Sequence, residues 1–173
     1  MNLIVTCARH LEEDAQDELK NILNEMGDLE PTITITNMSG ILTAHTQLEP
    51  IEVVKKIREN LLDEPWSIRY CLRIIPIQKI TETNIESIEK EVESLKDLIL
   101  DEESYRISIE KRNSDMSSQE LITKIAKNIK NKVSLEFPDK IILIEVLGSK
   151  TGVAILKKAD VLSLEKTKRS MSE

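Results

Sequence analysis

Aromatic residues are nearly absent from this chain: Trp66, Tyr70, Tyr105 and Phe137 are all there are. Modules that splay a single nucleic-acid strand across exposed rings need several aromatics on one sheet face, so a stacking platform of the RRM or OB kind is disfavoured. Contacts to phosphate, sugar and duplex shape stay open. Cysteine is equally scarce. Cys7 and Cys71 are too few for a disulfide scaffold, and each lies in an apolar, strand-like segment where a thiol packs as a small hydrophobe. Long apolar runs are missing as well. No run exceeds four residues, the length of residues 141–144, and the amino terminus offers only Leu3, Ile4 and Val5 before Thr6, with no basic stretch in front. Neither a transmembrane span nor a signal peptide is expected, and a reducing, cytoplasmic setting fits best.

Catalytic and cofactor signatures are lacking too. Cys7, His10, His45 and Cys71 match the spacing of no zinc finger or ribbon. His10 and His45 have no HExxH context, no G-x-S-x-G occurs, and the acidic pairs lie along helix faces where solvation explains them. Gly148-Ser149-Lys150-Thr151-Gly152 has a superficial likeness to a P-loop. That motif needs a further upstream Gly, Lys directly after the second Gly and a following helix, whereas here Ser149 intervenes and a strand follows. The segment reads as a hairpin turn, so no cofactor, metal or catalytic residue is expected.

What the chain does have is charge of uneven distribution, hidden by a formal net charge of −7. Residues 1–103 carry 10 Lys/Arg against 22 Asp/Glu, while residues 104–173 carry 14 against 9. Recognition of a phosphate backbone depends on the local field, so an acidic protein that gathers its bases in one stretch can still present a positive surface. A nucleic acid would bind there; ordinary solvation of two surfaces is the alternative.

With 173 residues, 40% of them hydrophobic, the chain can fill one core or two small ones. Residues 2–7 read as a buried strand, and Leu11, Ala15, Leu19, Ile22 and Met26 recur at helical spacing up to Gly27. Residues 32–36 and 41–46 read as a hairpin, Pro50 opens a helix carrying Ile51, Val54, Ile57 and Leu61, and residues 66–75 supply a strand. The order βαββαβ is that of ferredoxin-like domains. Thr83 with Glu86 forms a capping box for a helix over 83–100, and Tyr105, Ile107 and Ile109 alternate with Arg106, Ser108 and Glu110 as a half-buried strand. Ser117 with Glu120 caps a helix through Ile129, and residues 140–147 and 153–157 close the pattern as strands. The second half thus reads α-β-α-β-β, without an internal repeat.

Lys111-Arg112-Asn113-Ser114 stands at the exit of that half-buried strand, just before the capped helix. A strand end running into a helix amino terminus brings cationic heads, an amide and free backbone N–H groups together, which suits phosphates and riboses. Lys124 and Lys127 extend the charge along the helix. A solvated turn is the plain alternative.

Three segments together, residues 65–76 (PWSIRYCLRIIP), 105–113 (YRISIEKRN) and 138–146 (PDKIILIEV), give the chain a resemblance to THUMP-domain proteins over residues 2–164. The first segment points to the stand-alone THUMP proteins that assist a tRNA cytidine acetyltransferase. The resemblance implies an α+β chain: a ferredoxin-like domain over residues 1–75, an α/β THUMP domain over 76–164 and a polar, frayed tail over 165–173. It implies a grip on the acceptor stem and 3′ CCA end of tRNA, with tRNA and the acetyltransferase as partners and neither DNA nor membrane. Carried over by position, Lys111, Arg112 and Asn113 match the basic strand-end motif, Lys150 and Thr151 fall on the nearby hairpin, and Arg73 matches the junction arginine. Other THUMP proteins carry a fused enzyme domain, for which this chain is too short, so a non-catalytic adaptor for N4-acetylcytidine formation is expected. Service to another tRNA-modifying enzyme, or a ferredoxin-like protein-interaction or sensing module that binds no RNA, are the alternatives.

Overall fold

In the computed structural model, which describes residues 1–172, the strand β1 (Leu3–Thr6) lies at the centre of an antiparallel sheet. It is followed by α1 (Glu12–Glu25), β2 (Thr32–Ile35), β3 (Ile41–His45), α2 (Pro50–Asp63) and β4 (Arg73–Pro76). The sheet order β2-β3-β1-β4 is that of a ferredoxin-like domain, as expected. Ala15, Leu19 and Leu23 of α1, one helical turn apart, pack with Val54, Ile57 and Leu61 of α2 onto Leu3, Val5, Leu42 and Ile74. Each fully buried Leu, Ile or Val among them contributes roughly 1.5–3 kcal/mol. Three acidic residues, Glu12, Glu13 and Asp14, stabilise the first turn of α1, while Glu49 caps α2 by accepting the Glu52 N–H at 2.9 Å. Gly40 is fixed by sterics: its φ is +76°, and an added Cβ would sit 2.6 Å from the Cys7 carbonyl oxygen.

A second unit, Ile77–Lys158, has its own core. It contains β5 (Lys79–Glu82), α3 (Ile85–Leu95), a 3-10 turn at Lys96–Leu98, β6 (Tyr105–Arg112), α4 (Ser118–Lys127), β7 (Lys140–Leu147) and β8 (Lys150–Leu156). The sheet order is β5-β8-β7-β6, with β6 and β7 parallel over eight residue pairs and the other neighbours antiparallel. Ile88 and Val92 of α3 and Leu121 and Ile125 of α4 cover one face, against Tyr105, Ile142, Ile144, Val146, Val153 and Ile155.

Several expectations are corrected. The strand over 66–75 shrinks to β4, because Glu18 satisfies the N–H groups of Arg69, Tyr70 and Cys71, at 2.8, 3.0 and 2.9 Å, and the segment needs no ladder. The second unit reads β-α-β-α-β-β: β5 was missed because Lys79-Ile80-Thr81-Glu82 is a mostly exposed edge without apolar alternation. Asn84, not Thr83, caps α3, accepting the Ser87 N–H at 2.8 Å, and the helix ends at Leu95 rather than at residue 100. α4 likewise ends at Lys127, and β8 begins at Lys150 because Gly148 and Ser149 alone make the turn. The second unit ends at Lys158, short of the expected 164. The chain then rejoins the first sheet as β9 (Leu162–Ser163), which pairs with β4, and continues as α5 (Leu164–Ser172) where a frayed tail was expected. Glu173, part of that expected tail, lies outside the described residues.

Candidate nucleic-acid interface

The site grows from strand direction. Because β6 and β7 run parallel and β8 and β5 alternate against them, the carboxyl ends of β5, β6 and β7 and the start of β8 share one sheet edge. The amino termini of α3 and α4 open from that edge, with N–H groups directed outward. Lys111, Arg112 and Asn113 lie at the β6 exit, and the Arg112 carbonyl accepts the Gly148 N–H at 2.8 Å, which joins the exit to the hairpin turn. Asn113 takes a left-handed conformation, φ +54°, that Asn tolerates better than most residues. The Lys111 ammonium donates to the Met116 carbonyl at 2.6 Å and Ser114 Oγ accepts the Met116 N–H at 3.2 Å, so residues 113–117 fold back over the exit. Ser117 caps α4 by accepting the Glu120 N–H at 3.2 Å. An open cleft between the two helix starts is lined by Asn84, Glu86 and Ser87 on one side and by Met116, Ser117, Glu120 and Lys124 on the other.

The expected site residues separate into distinct roles. Lys111 and Asn113 are exposed at the edge, and Lys124 is half-buried in the cleft wall. Arg112 donates at 2.7 Å to the fully buried Glu145 of β7, so much of its charge is committed to the fold. Lys150 is exposed but ion-paired with Glu82. Thr151 is fully buried and shares a 2.8 Å hydroxyl contact with Thr83; it is closed to a ligand, contrary to expectation. Lys127 sits in the last turn of α4, about 13 Å along the axis from Ser118 at 1.5 Å per residue, where it complements the helix dipole. Arg73 belongs to the first unit, in register with Thr6 and Ser163. Asn84 and Ser87 were missed as cleft residues; the N-cap propensity of Asn84 was the available signal.

The basic excess of residues 104–173 does not fall on one unit. The second unit carries 14 Lys/Arg and 15 Asp/Glu, because acidic α3 falls inside it and the cations of α5 fall outside. Any attraction for phosphate is therefore local to the edge. Elsewhere in this unit, the Lys140 ammonium holds the Glu103 carboxyl below the usual range, aided by the Leu100 N–H, and burial raises the Tyr105 phenol. Among the described residues, no cluster of three or more His, Cys, Asp or Glu could hold a metal ion, and no helix is long and apolar enough to cross a membrane.

A ferredoxin-like unit followed by a six-element α/β unit with a basic strand exit defines a recognisable class. Residues 82–156 match the THUMP domain model, so the chain carries a THUMP domain. It is 31% identical over 122 residues to the THUMP domain-containing protein 1 homolog of Drosophila melanogaster, covering 65% of this chain and 38% of that protein. It is 29% identical over 126 residues to an uncharacterized protein of Methanocaldococcus jannaschii, covering 70% and 35%. The match thus spans little more than a third of either relative. In fold, the chain is similar to PH1313 from Pyrococcus horikoshii, with TM-score 0.62, 17% identity and coverage of 91% of this chain and 55% of that one. It is also similar to a 4-thiouridine synthetase solved as an RNA complex with bound ATP, with TM-score 0.55, 13% identity and coverage of 94% and 42%.

Proposed function

We propose that this chain is a non-catalytic tRNA-binding adaptor that holds the acceptor stem and 3′ CCA end and presents the tRNA to a separate cytidine acetyltransferase for N4-acetylcytidine formation. The THUMP domain at residues 82–156 carries the reading. Its support is chemical: Lys111 and Asn113 at a strand exit, Lys124 in the adjoining cleft and the outward N–H groups of α3 and α4 make an edge suited to phosphates and riboses. Arg112 acts there mainly by shaping the edge through Glu145. Holding one end of a tRNA raises the effective concentration of its distant reactive base at the enzyme, with no chemistry from the holder. Similarity in fold to a 4-thiouridine synthetase solved with RNA favours a second reading, in which the enzyme served performs another tRNA modification.

One omission experiment tests both. Purified protein, cognate acetyltransferase, acetyl-CoA, ATP and tRNA are mixed, each is left out in turn, and N4-acetylcytidine is measured by nucleoside mass spectrometry. Product requires the acetyltransferase and drops sharply without this protein. Full product in its absence, or product from this chain alone, overturns the adaptor reading; retained tRNA binding without any acetylation leaves the second reading.

A further inference from the structure

β6 is an edge strand, and its outer side is largely open. The parity of its pairing is fixed at both ends. Arg112 gives its carbonyl to the β7 side, through the Gly148 N–H, whereas Tyr105 turns both backbone groups outward, its N–H to the Lys132 carbonyl at 3.0 Å and its carbonyl to the Ser134 N–H at 2.9 Å. Alternation along a strand then turns the N–H and C=O groups of Ile107, Ile109 and Lys111 outward too. Among the described residues, the outer side pairs only at Tyr105, with Val133. The chain's own residues 132–134 therefore begin a strand addition that nothing continues.

Beside that beginning lies the most exposed apolar cluster of the unit. Val133, Leu135 and Phe137, at alternate positions, are 51%, 74% and 83% exposed, and Leu98 and Leu100 are also exposed. Asn131 Nδ2 donates to the Leu100 carbonyl at 2.7 Å, the Lys140 ammonium to the Leu98 carbonyl at 2.6 Å and Arg106 Nη1 to the Leu135 carbonyl at 3.2 Å, so the two segments and the head of β6 form one fixed surface. The head of β6 at Tyr105 lies six residue steps, about 20 Å, from Lys111. In sequence these segments carry Asp97, Asp101, Glu102, Glu136 and Asp139 against Arg106, Lys130 and Lys132, with Glu103 and Lys140 paired to each other, a balance that disfavours phosphate and favours a basic partner.

We propose that this edge and its apolar head receive the modifying enzyme, through an extended segment of that enzyme that adds as a strand beside Ile107 and Ile109. The segment carries apolar side chains that cover Leu135 and Phe137 and basic residues that meet the acidic excess. Main-chain hydrogen bonds supply the affinity and the apolar head the specificity, as in other strand-addition interfaces. The inference rests on the adaptor reading and divides its labour: RNA at the carboxyl end of β6, enzyme at the amino end and along the side.

Two measurements test it, both with purified cognate acetyltransferase and without RNA. Hydrogen–deuterium exchange of the wild-type protein reads the Ile107 and Ile109 amides, which are expected to exchange at least tenfold more slowly once the enzyme is added. Leu135→Asp combined with Phe137→Asp, both on the surface, is expected to weaken enzyme capture at least tenfold while tRNA affinity stays within twofold. Unchanged exchange at both amides, or equal capture of variant and wild type, overturns the docking inference and leaves the adaptor reading intact. A fall in tRNA affinity in the variant assigns the patch to RNA, and a wild-type dimer dissolved by the variant assigns it to a second copy; either overturns the proposal. An enzyme that fails to bind the wild type overturns the adaptor reading, and this inference with it.

Discussion

The Glu18 carboxylate accepts three consecutive backbone N–H groups, those of Arg69, Tyr70 and Cys71, and so fixes the segment that leads into β4. Bonds to a charged acceptor are worth more than neutral ones, and three orphaned donors would need water in a partly buried turn. Glu18→Ala is expected to lower unfolding free energy by about 2 kcal/mol and Glu18→Gln by less, since its amide oxygen still accepts. Urea denaturation checks this, and an unmoved midpoint for Glu18→Ala would count against it. At the candidate interface, adjacent cations have opposite fates. Arg112→Ala leaves the buried Glu145 short of its cation and is expected to cost about 3 kcal/mol of stability, whereas Lys111→Ala leaves the fold intact and weakens tRNA binding several-fold. Charge reversal at both positions would therefore confound folding with binding. Paired melting curves and anisotropy titrations separate them; equal stability of the two single variants would refute the division.

At the scale of elements, a junction beyond α1 responds to pH. Asp28 is almost fully buried, and its carboxylate accepts the Thr46 hydroxyl at 2.7 Å, the Gln47 N–H at 3.1 Å and the Glu30 N–H at 3.3 Å, tying the end of α1 to the end of β3. The Thr46 hydrogen bond, foremost, holds this carboxyl below the usual aspartate range against the opposing effect of burial. A folded value below the unfolded one, about 3.9, makes ionised Asp28 stabilising above that pH, and the contribution disappears as pH falls through the lower folded value. Glu12, whose carboxylate accepts the Gly40 N–H at 3.0 Å, is lowered in the same direction. Asp28→Asn should therefore be less stable than wild type at pH 7, with the gap closing below about pH 4. Thermal melts from pH 7 to pH 2.5 read it, and a constant gap would refute the assignment. α1 and α2 were legible in the sequence because burial on one face writes a helical apolar period, and β7 because a strand buried on both faces reads as a near-continuous apolar run. β5 was not, since an edge strand of Lys, Ile, Thr and Glu has little to bury, and β9, two residues long, has no period at all. The exposure of Lys111 and Asn113 at the strand exit was legible from their place in the sequence pattern. That Arg112 and Thr151 turn inward depends on Glu145 and Thr83, which are distant in sequence and joined to them by sheet register.

For the molecule as a whole, charge must be counted by unit and not by halves of the sequence. With its Lys/Arg and Asp/Glu nearly balanced, the second unit offers no broad positive field, and Arg112 and Lys150 are already ion-paired within it. Three or four phosphate contacts are then a reasonable number for Lys111, Lys124 and their neighbours. By the counterion-release rule for duplexes, log Kobs should fall against log salt with a slope of about −3, shallower than the wider basic surface suggested by the sequence would give. A flat titration would remove phosphate binding from this edge, and a slope near −8 would demand a second cationic surface. Salt dependence alone, however, cannot distinguish an end-reader from a generic RNA binder, so the same titration is run with one tRNA intact and trimmed of its 3′ CCA. Few phosphate contacts leave little affinity that is independent of structure, and a chain so poor in stacking aromatics gains little from loose single strand. An adaptor for the acceptor end should therefore lose at least several-fold in affinity on trimming while the salt slope changes by less than one. Equal dissociation constants for the two RNAs would leave phosphate binding in place and remove the acceptor end from the mechanism.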